Sequence, residues 1–246
     1  ENSGKFKEAI EALTEPMPDR ARAMSGGDLG CILRLKGDGI NLEGIYDTRL
    51  ATILSGRSAN SLFDVVLRHL PTGEEKVLVA DSGWGSCAIE PPASDGFSEI
   101  IWRQSTDARL GKLSVAARAI SDDNSEMRWT LTVGDVPADW SVLRVRFPRV
   151  SVDERGVLPL VLFPRGSGEV QADASRRSFR FSGTYPSGWT SMQFMAAYDA
   201  KGESGLYVAA HDPFGSTKDI SLQGVPGDGS VSMVFEHPAA NMGVGA

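Results

Sequence analysis

The 246-residue chain has little histidine and little cysteine, three and two residues respectively. It has no Cys-x-x-Cys pair and no Cys/His cluster, which argues against a zinc site. No feature signals an obligate cofactor. Cys31 and Cys87 lie far apart in sequence, and a disulfide and two buried thiols both stay open. Basic residues are outnumbered, 25 against 32 acids, for a net charge of −7. No basic patch is interleaved with aromatics, so nucleic acid is not an expected partner. No apolar run approaches the ~20 residues of a membrane helix, and no membrane partner is expected. There is no Gly-x-Ser-x-Gly elbow. The glycine-rich FPRGSGEV (163–170) lacks the Gly-Lys-Ser/Thr ending of a phosphate loop. The acids are scattered, and glycosidase carboxylate pairs are known by distance in space rather than by spacing in sequence. The chain opens on Glu1 with neither an initiator Met nor a signal peptide. A processed or trimmed product is therefore expected, from which any export signal would already be gone.

What is present is β patterning. Only KFKEAIEAL (5–13) reads otherwise, with Phe6, Ile10 and Leu13 at helical spacing. TEPMPD (14–19) then breaks it, so residues 1–28 are expected to be a short N-terminal helix and a linker. From Leu29 to Ala246, short runs rich in Val, Leu, Phe and Trp alternate with Gly, Pro, Asp and Ser clusters. In MRWTLTV (127–133), Met127, Trp129, Leu131 and Val133 share one face. In VLRVRFP (142–148), Leu143, Val145 and Phe147 point in and Arg144 and Arg146 out. Such alternation marks strands with one face in the core and one in water. KGDGI (36–40) and DAKGESG (199–205) read as hairpin turns, and SGWGS (82–86) as a hairpin tip. More than a dozen strands predict an all-β fold, a large antiparallel β-sandwich over residues 29–246. MQFMAAYD (192–199) and GLYVAA (205–210) are apolar on both faces and are expected to be covered on both sides, by the core and by a second domain or a ligand.

Two stretches qualify as binding elements. His211-Asp212-Pro213 closes the strand of GLYVAAHDP. Strand neighbours point to opposite faces, so His211 and Asp212 do not form a base and its orienter on an ideal strand. At a strand end both can reach one rim and contact sugar hydroxyls; the alternative is an Asp that starts a turn and a His satisfied by backbone. In TYPSGWTSMQ (184–193), Tyr185 and Trp189 flank a Pro-Ser-Gly turn. Aromatics beside polar groups stack on sugar rings, or pin a loop to its own core. SDDNSE (121–126) offers oxygen ligands for Ca²⁺ or a solvated hairpin tip.

In order along the chain, LRLKGDGINLEGIYD, NSLFDVVLRHLPTGEE, MRWTLTV, VLRVRFPRV, LPLVLFPRGSGE, YPSGWTSMQFMAAYD, SGLYVAAHDPFGSTKDI and HPAANMG resemble the N-terminal half of bacterial glycoside-hydrolase-like proteins of the DUF6259 type. The resemblance implies a β-supersandwich similar to galactose mutarotase, preceding a catalytic (β/α)₈ barrel that this chain lacks. It implies a non-catalytic N-terminal domain of a secreted or periplasmic glycoside hydrolase acting on a poly- or oligosaccharide. Its partners would be carbohydrate and a C-terminal barrel of the same parent chain. No catalytic residue is carried over. His211, Asp212 and Lys218, with Tyr185 and Trp189, would line the substrate rim or the domain interface. Two alternatives remain: a stand-alone carbohydrate-binding sandwich, and a mutarotase-like epimerase using a His and a carboxylate.

Overall fold

The computed structural model describes residues 21–239 apart from 50–51, 56–59, 92, 94–95, 123 and 154–158, together with residues 4, 7, 8, 10 and 11. The first sheet holds β1 (Ala21–Gly26), β2 (Leu29–Lys36), β3 (Gly39–Asp47), β4 (Thr52–Ser55) and the two-residue β5 (Asn60–Ser61). Its β2–β3 hairpin turns on the predicted Gly37-Asp38 pair, with Gly37 at φ +62°. A second hairpin, β6 (Asp64–His69) and β7 (Glu75–Val79), forms one edge of the largest sheet. A contiguous antiparallel meander comes next: β8 (Trp84–Ile89), β9 (Ser98–Ser105), β10 (Ser114–Ser121) and β11 (Met127–Gly134). The long β12 (Trp140–Asp153) then returns to pair with β6.

The site is built by the rest of the chain. β13 (Leu160–Phe163) and β14 (Glu169–Ala172) form a hairpin, and β15 (Phe179–Tyr185) crosses to the largest sheet. The hairpin of β16 (Phe194–Tyr198) and β17 (Gly205–Ala209) rejoins β13, giving a four-stranded sheet in the order β14-β13-β16-β17. Finally β18 (Lys218–Val225) and β19 (Ser230–Pro238) complete the six-stranded sheet β15-β18-β19-β12-β6-β7. One apolar core runs through all four sheets, joining Leu33, Phe63, Trp102, Phe163 and Phe235, each at zero exposure. Phe63 stacks edge-on against Trp102 at 4.8 Å and Trp84 at 6.3 Å. The centre of the largest sheet is pinned by charge. Buried Asp64 on β6 accepts from Arg149 at 2.6 Å and Arg146 at 3.3 Å on β12, and Arg146 reaches Glu236 on β19 at 2.6 Å.

The all-β class holds: among the described residues strands take 61%, and no helix of seven or more residues stands among them. The arrangement differs from a clear sandwich. The four small sheets form a propeller-like ring. Alternation reveals that one face of a strand is covered, but not by which neighbour, so a blade and a sandwich layer carry the same pattern. Most of the segment expected to form an N-terminal helix, 5–13, lies outside the described residues; of the rest, Lys7, Glu8, Ile10 and Glu11 are helical. Ile10 packs against Ile32 and Tyr46. The segment expected to be a linker contains β1, whose partner is β2. SGWGS is not a mere tip either: Trp84 is 2% exposed, starts β8, and donates its indole N–H to the Val79 carbonyl at 2.7 Å. The cysteines are unbridged. Cys31 is buried and donates to the Met127 sulfur at 3.5 Å; Cys87 is half-buried.

Candidate functional site

An open cavity of about 560 Å³ lies where the β16–β17 hairpin meets the loop leading into β18. Its wall includes Tyr185, Met192, Gln193, Tyr207, His211 and Asp212. Each arrives for a local reason. Tyr185 is the last residue of β15, directly opposite Lys218 on β18. Met192 and Gln193 precede β16, where the Gln193 carbonyl accepts from Ala210 N at 2.9 Å. Tyr207 sits on β17 between Leu206 and Val208, both buried, so period two turns it outward, 57% exposed.

The loop 210–217 is organised by Asp212. Its carboxylate accepts from the backbone N–H of Phe214 at 2.9 Å and of Ser216 at 2.7 Å. Behind it, Lys218 has no exposure at all. Its ammonium donates to Asp212 Oδ2 at 3.1 Å, to Gln193 Oε1 at 2.7 Å and to the Ser216 carbonyl. All three ammonium donors are therefore used, and the charge also lies 4.9 Å from the Tyr185 ring centroid. Gln193 closes the circuit by donating Nε2–H to the Asp212 carbonyl at 3.1 Å. Partial burial alone would raise the Asp212 carboxyl. The bonds from Ser216, Lys218 and the Phe214 backbone outweigh it and hold the group well below the usual carboxylate range. Asp212 is a permanent anion neutralised by a buried cation.

His211 does not pair with Asp212. It is exposed, and its ring centroid lies 6.3 Å from that of Tyr207. Thus Tyr185, His211 and Asp212 meet in one cavity, and Lys218 supports it from behind. Trp189 is brought nearby in sequence but not into the cavity wall. It is 72% exposed on a turn held by the Ser187 hydroxyl, which accepts from Thr190 N at 3.0 Å. Phe214, at the tip of the Asp212 loop, is 92% exposed. A third histidine, His237 on β19, is half-buried and donates from Nε2 to the Phe147 carbonyl at 3.0 Å. Burial pushes its pKa below the ordinary histidine value.

β16 and β17 are not covered on both sides, as their composition suggested. Met195, Ala197, Leu206 and Val208 are buried, whereas the opposite face is half-buried or exposed. Gln193 and Tyr207 escape a reading of the sequence alone. Gln193 is a polar residue at the head of an apolar strand, and Tyr207 an aromatic between two inward aliphatics; both signals are present in the pattern. Among the described residues no group of three or more His, Cys, Asp or Glu is placed to hold a metal. In the 121–126 turn the Asp122 carboxylate accepts from Asn124 N at 3.0 Å and Glu126 N at 3.3 Å, closing a hairpin. No known protein-family model matches the chain, and no curated protein matches it significantly.

Proposed function

We propose that this chain is a non-catalytic, carbohydrate-contacting domain of a glycoside hydrolase, engaging a poly- or oligosaccharide through the cavity between β15, β17 and β18. The observation that carries it is the wall itself. Exposed or half-buried aromatics, Tyr185 and Tyr207, flank a Gln193 amide, a His211 imidazole and a rigidly held Asp212. Apolar rings for C–H faces and a few fixed polar groups for hydroxyls are the requirements of a sugar site, and about 560 Å³ is the volume of an ordinary ligand site. The arrangement favours binding over proton transfer. Asp212 is committed to two backbone N–H groups and to Lys218, so it is poorly suited to act as a base. This weighs against the epimerase reading.

A second surface supports the reading of a domain that edges a catalytic partner. Val170 and Ala172 on β14, and Leu160 and Leu162 on β13, share the outer face of the four-stranded sheet, and Val170 is 51% exposed. An apolar patch of this kind marks a contact surface. Calorimetric titration with a panel of neutral oligosaccharides tests the proposal. Heat that saturates, and is lost in Tyr207→Ala at unchanged melting temperature, is the expected result, since Tyr207 lines the cavity and is 57% exposed. Absence of binding across the panel, with the protein folded, would overturn it.

A further inference from the structure

Resting on that reading, we infer that the cavity's ligand is an extended, uncharged oligosaccharide laid across a row of three rings, Phe194, Tyr207 and His211. Phe194 and Tyr207 lie on adjacent strands of one sheet face. Tyr207 is paired with Ala196, and Phe194 with Ala209. Each ring therefore faces an alanine across the ladder, which leaves the two free to lie side by side. Their centroids are 5.2 Å apart and their planes 33° from each other. The His211 ring centroid lies 6.3 Å from that of Tyr207. Tyr207 and His211 also belong to the cavity wall, whereas Phe194 does not. The row thus continues the cavity outward over the β16–β17 hairpin. One sugar fills the cavity against Tyr207 and His211; its neighbour meets Phe194.

The chemistry of the track selects against charge. On β13, β14, β16 and β17 the residues sharing its face are all apolar or tyrosine, with Ala196 opposite Tyr207 and Ala209 opposite Phe194. Lys218, the cation behind the cavity, has no exposure and is paired with Asp212. Among the described residues of the cavity wall none is Lys or Arg, so a uronate would find no lysine or arginine partner there.

The test is calorimetry with the monomer, dimer, tetramer and hexamer of a neutral β-1,4-linked hexose, beside an oligogalacturonate of matching length. Affinity should rise with length up to the tetramer, and the acidic oligomer should not bind. One stacked ring corresponds to roughly two- to tenfold in affinity. Phe194→Leu should therefore lower the tetramer-to-monomer affinity ratio by about that factor, with Val77→Ala on β7 as a folded control. Affinity that is flat with length, or equal binding of the acidic oligomer, overturns this inference and leaves the cavity proposal standing. No binding at any length overturns both.

Discussion

Lys218 is the residue on which the site depends. A wholly buried ammonium is tolerated only because Asp212, Gln193 and the Ser216 carbonyl accept its three hydrogen bonds. Lys218→Ala strands the loop anion and empties the space behind Tyr185, and should cost about 3 kcal/mol in urea unfolding. The double variant Lys218→Met with Asp212→Asn should cost less than the sum of its single changes, because the two groups act as a pair. Strict additivity would show them to be independent. His237 provides the pH signature. Its folded pKa lies below the ordinary histidine value of 6.5 because burial disfavours the imidazolium. Between the two values the unfolded chain holds more protons, so stability rises with pH there. Its contribution is complete above 6.5 and is lost as pH falls through the folded value. Melting temperature should fall on acidification through this window, and less steeply in His237→Gln.

At the scale of elements, the turn bearing Trp189 is tied to β15 by a close approach. A Cβ at Gly183 would fall on the Thr190 side chain, which is fully buried. Gly183→Ala must push the 187–190 turn outward, and overpacking of this kind costs roughly 1–3 kcal/mol. Thermal melting and a shift in tryptophan emission would report it; an unchanged melting temperature would mean the turn yields freely. Elements are also what the sequence discloses best. The alternation of 127–133 marks β11, and that of 142–148 lies inside β12, because period two is a direct result of the pleat. β1, β8 and β15 are harder to see. β8 opens with a Gly-rich SGWGS that imitates a turn, and β15 alternates Phe179, Phe181, Gly183 and Tyr185 with a glycine in the third place. In the site, Tyr185, His211 and Asp212 are legible as a group because they flank turns. The Asp212–Lys218 bond across the 213–217 loop is not, since spacing alone does not say which side chains turn back toward each other.

The whole molecule is held without a covalent cross-link. Cys31 and Cys87 are both free thiols. Burial pushes the Cys31 thiol up to about 12 and the Cys87 thiol up to about 11, so neither is a ready thiolate near neutral pH. A reducing agent should leave the melting temperature unchanged. Alkylation should label both thiols in denaturant, and under native conditions Cys87 well before Cys31. A mass two hydrogen atoms lighter before reduction would show a bridge and contradict the fold. How the sheets assemble could not be foreseen from the strand pattern, because the six-stranded sheet gathers β6, β7, β12, β15, β18 and β19 from most of the chain.

That gathering also sets a timetable. The meander β8–β11 is contiguous in sequence and can close while the ribosome is still adding the later strands. The largest sheet cannot, because β19, the last strand described, is flanked by β18 and β12 at its middle rather than at its rim. Until residue 238 has emerged, β12 and β18 each present an open edge with no partner. The largest sheet is thus an arch whose keystone follows its other described strands, and its open edges are most exposed just before that strand is made.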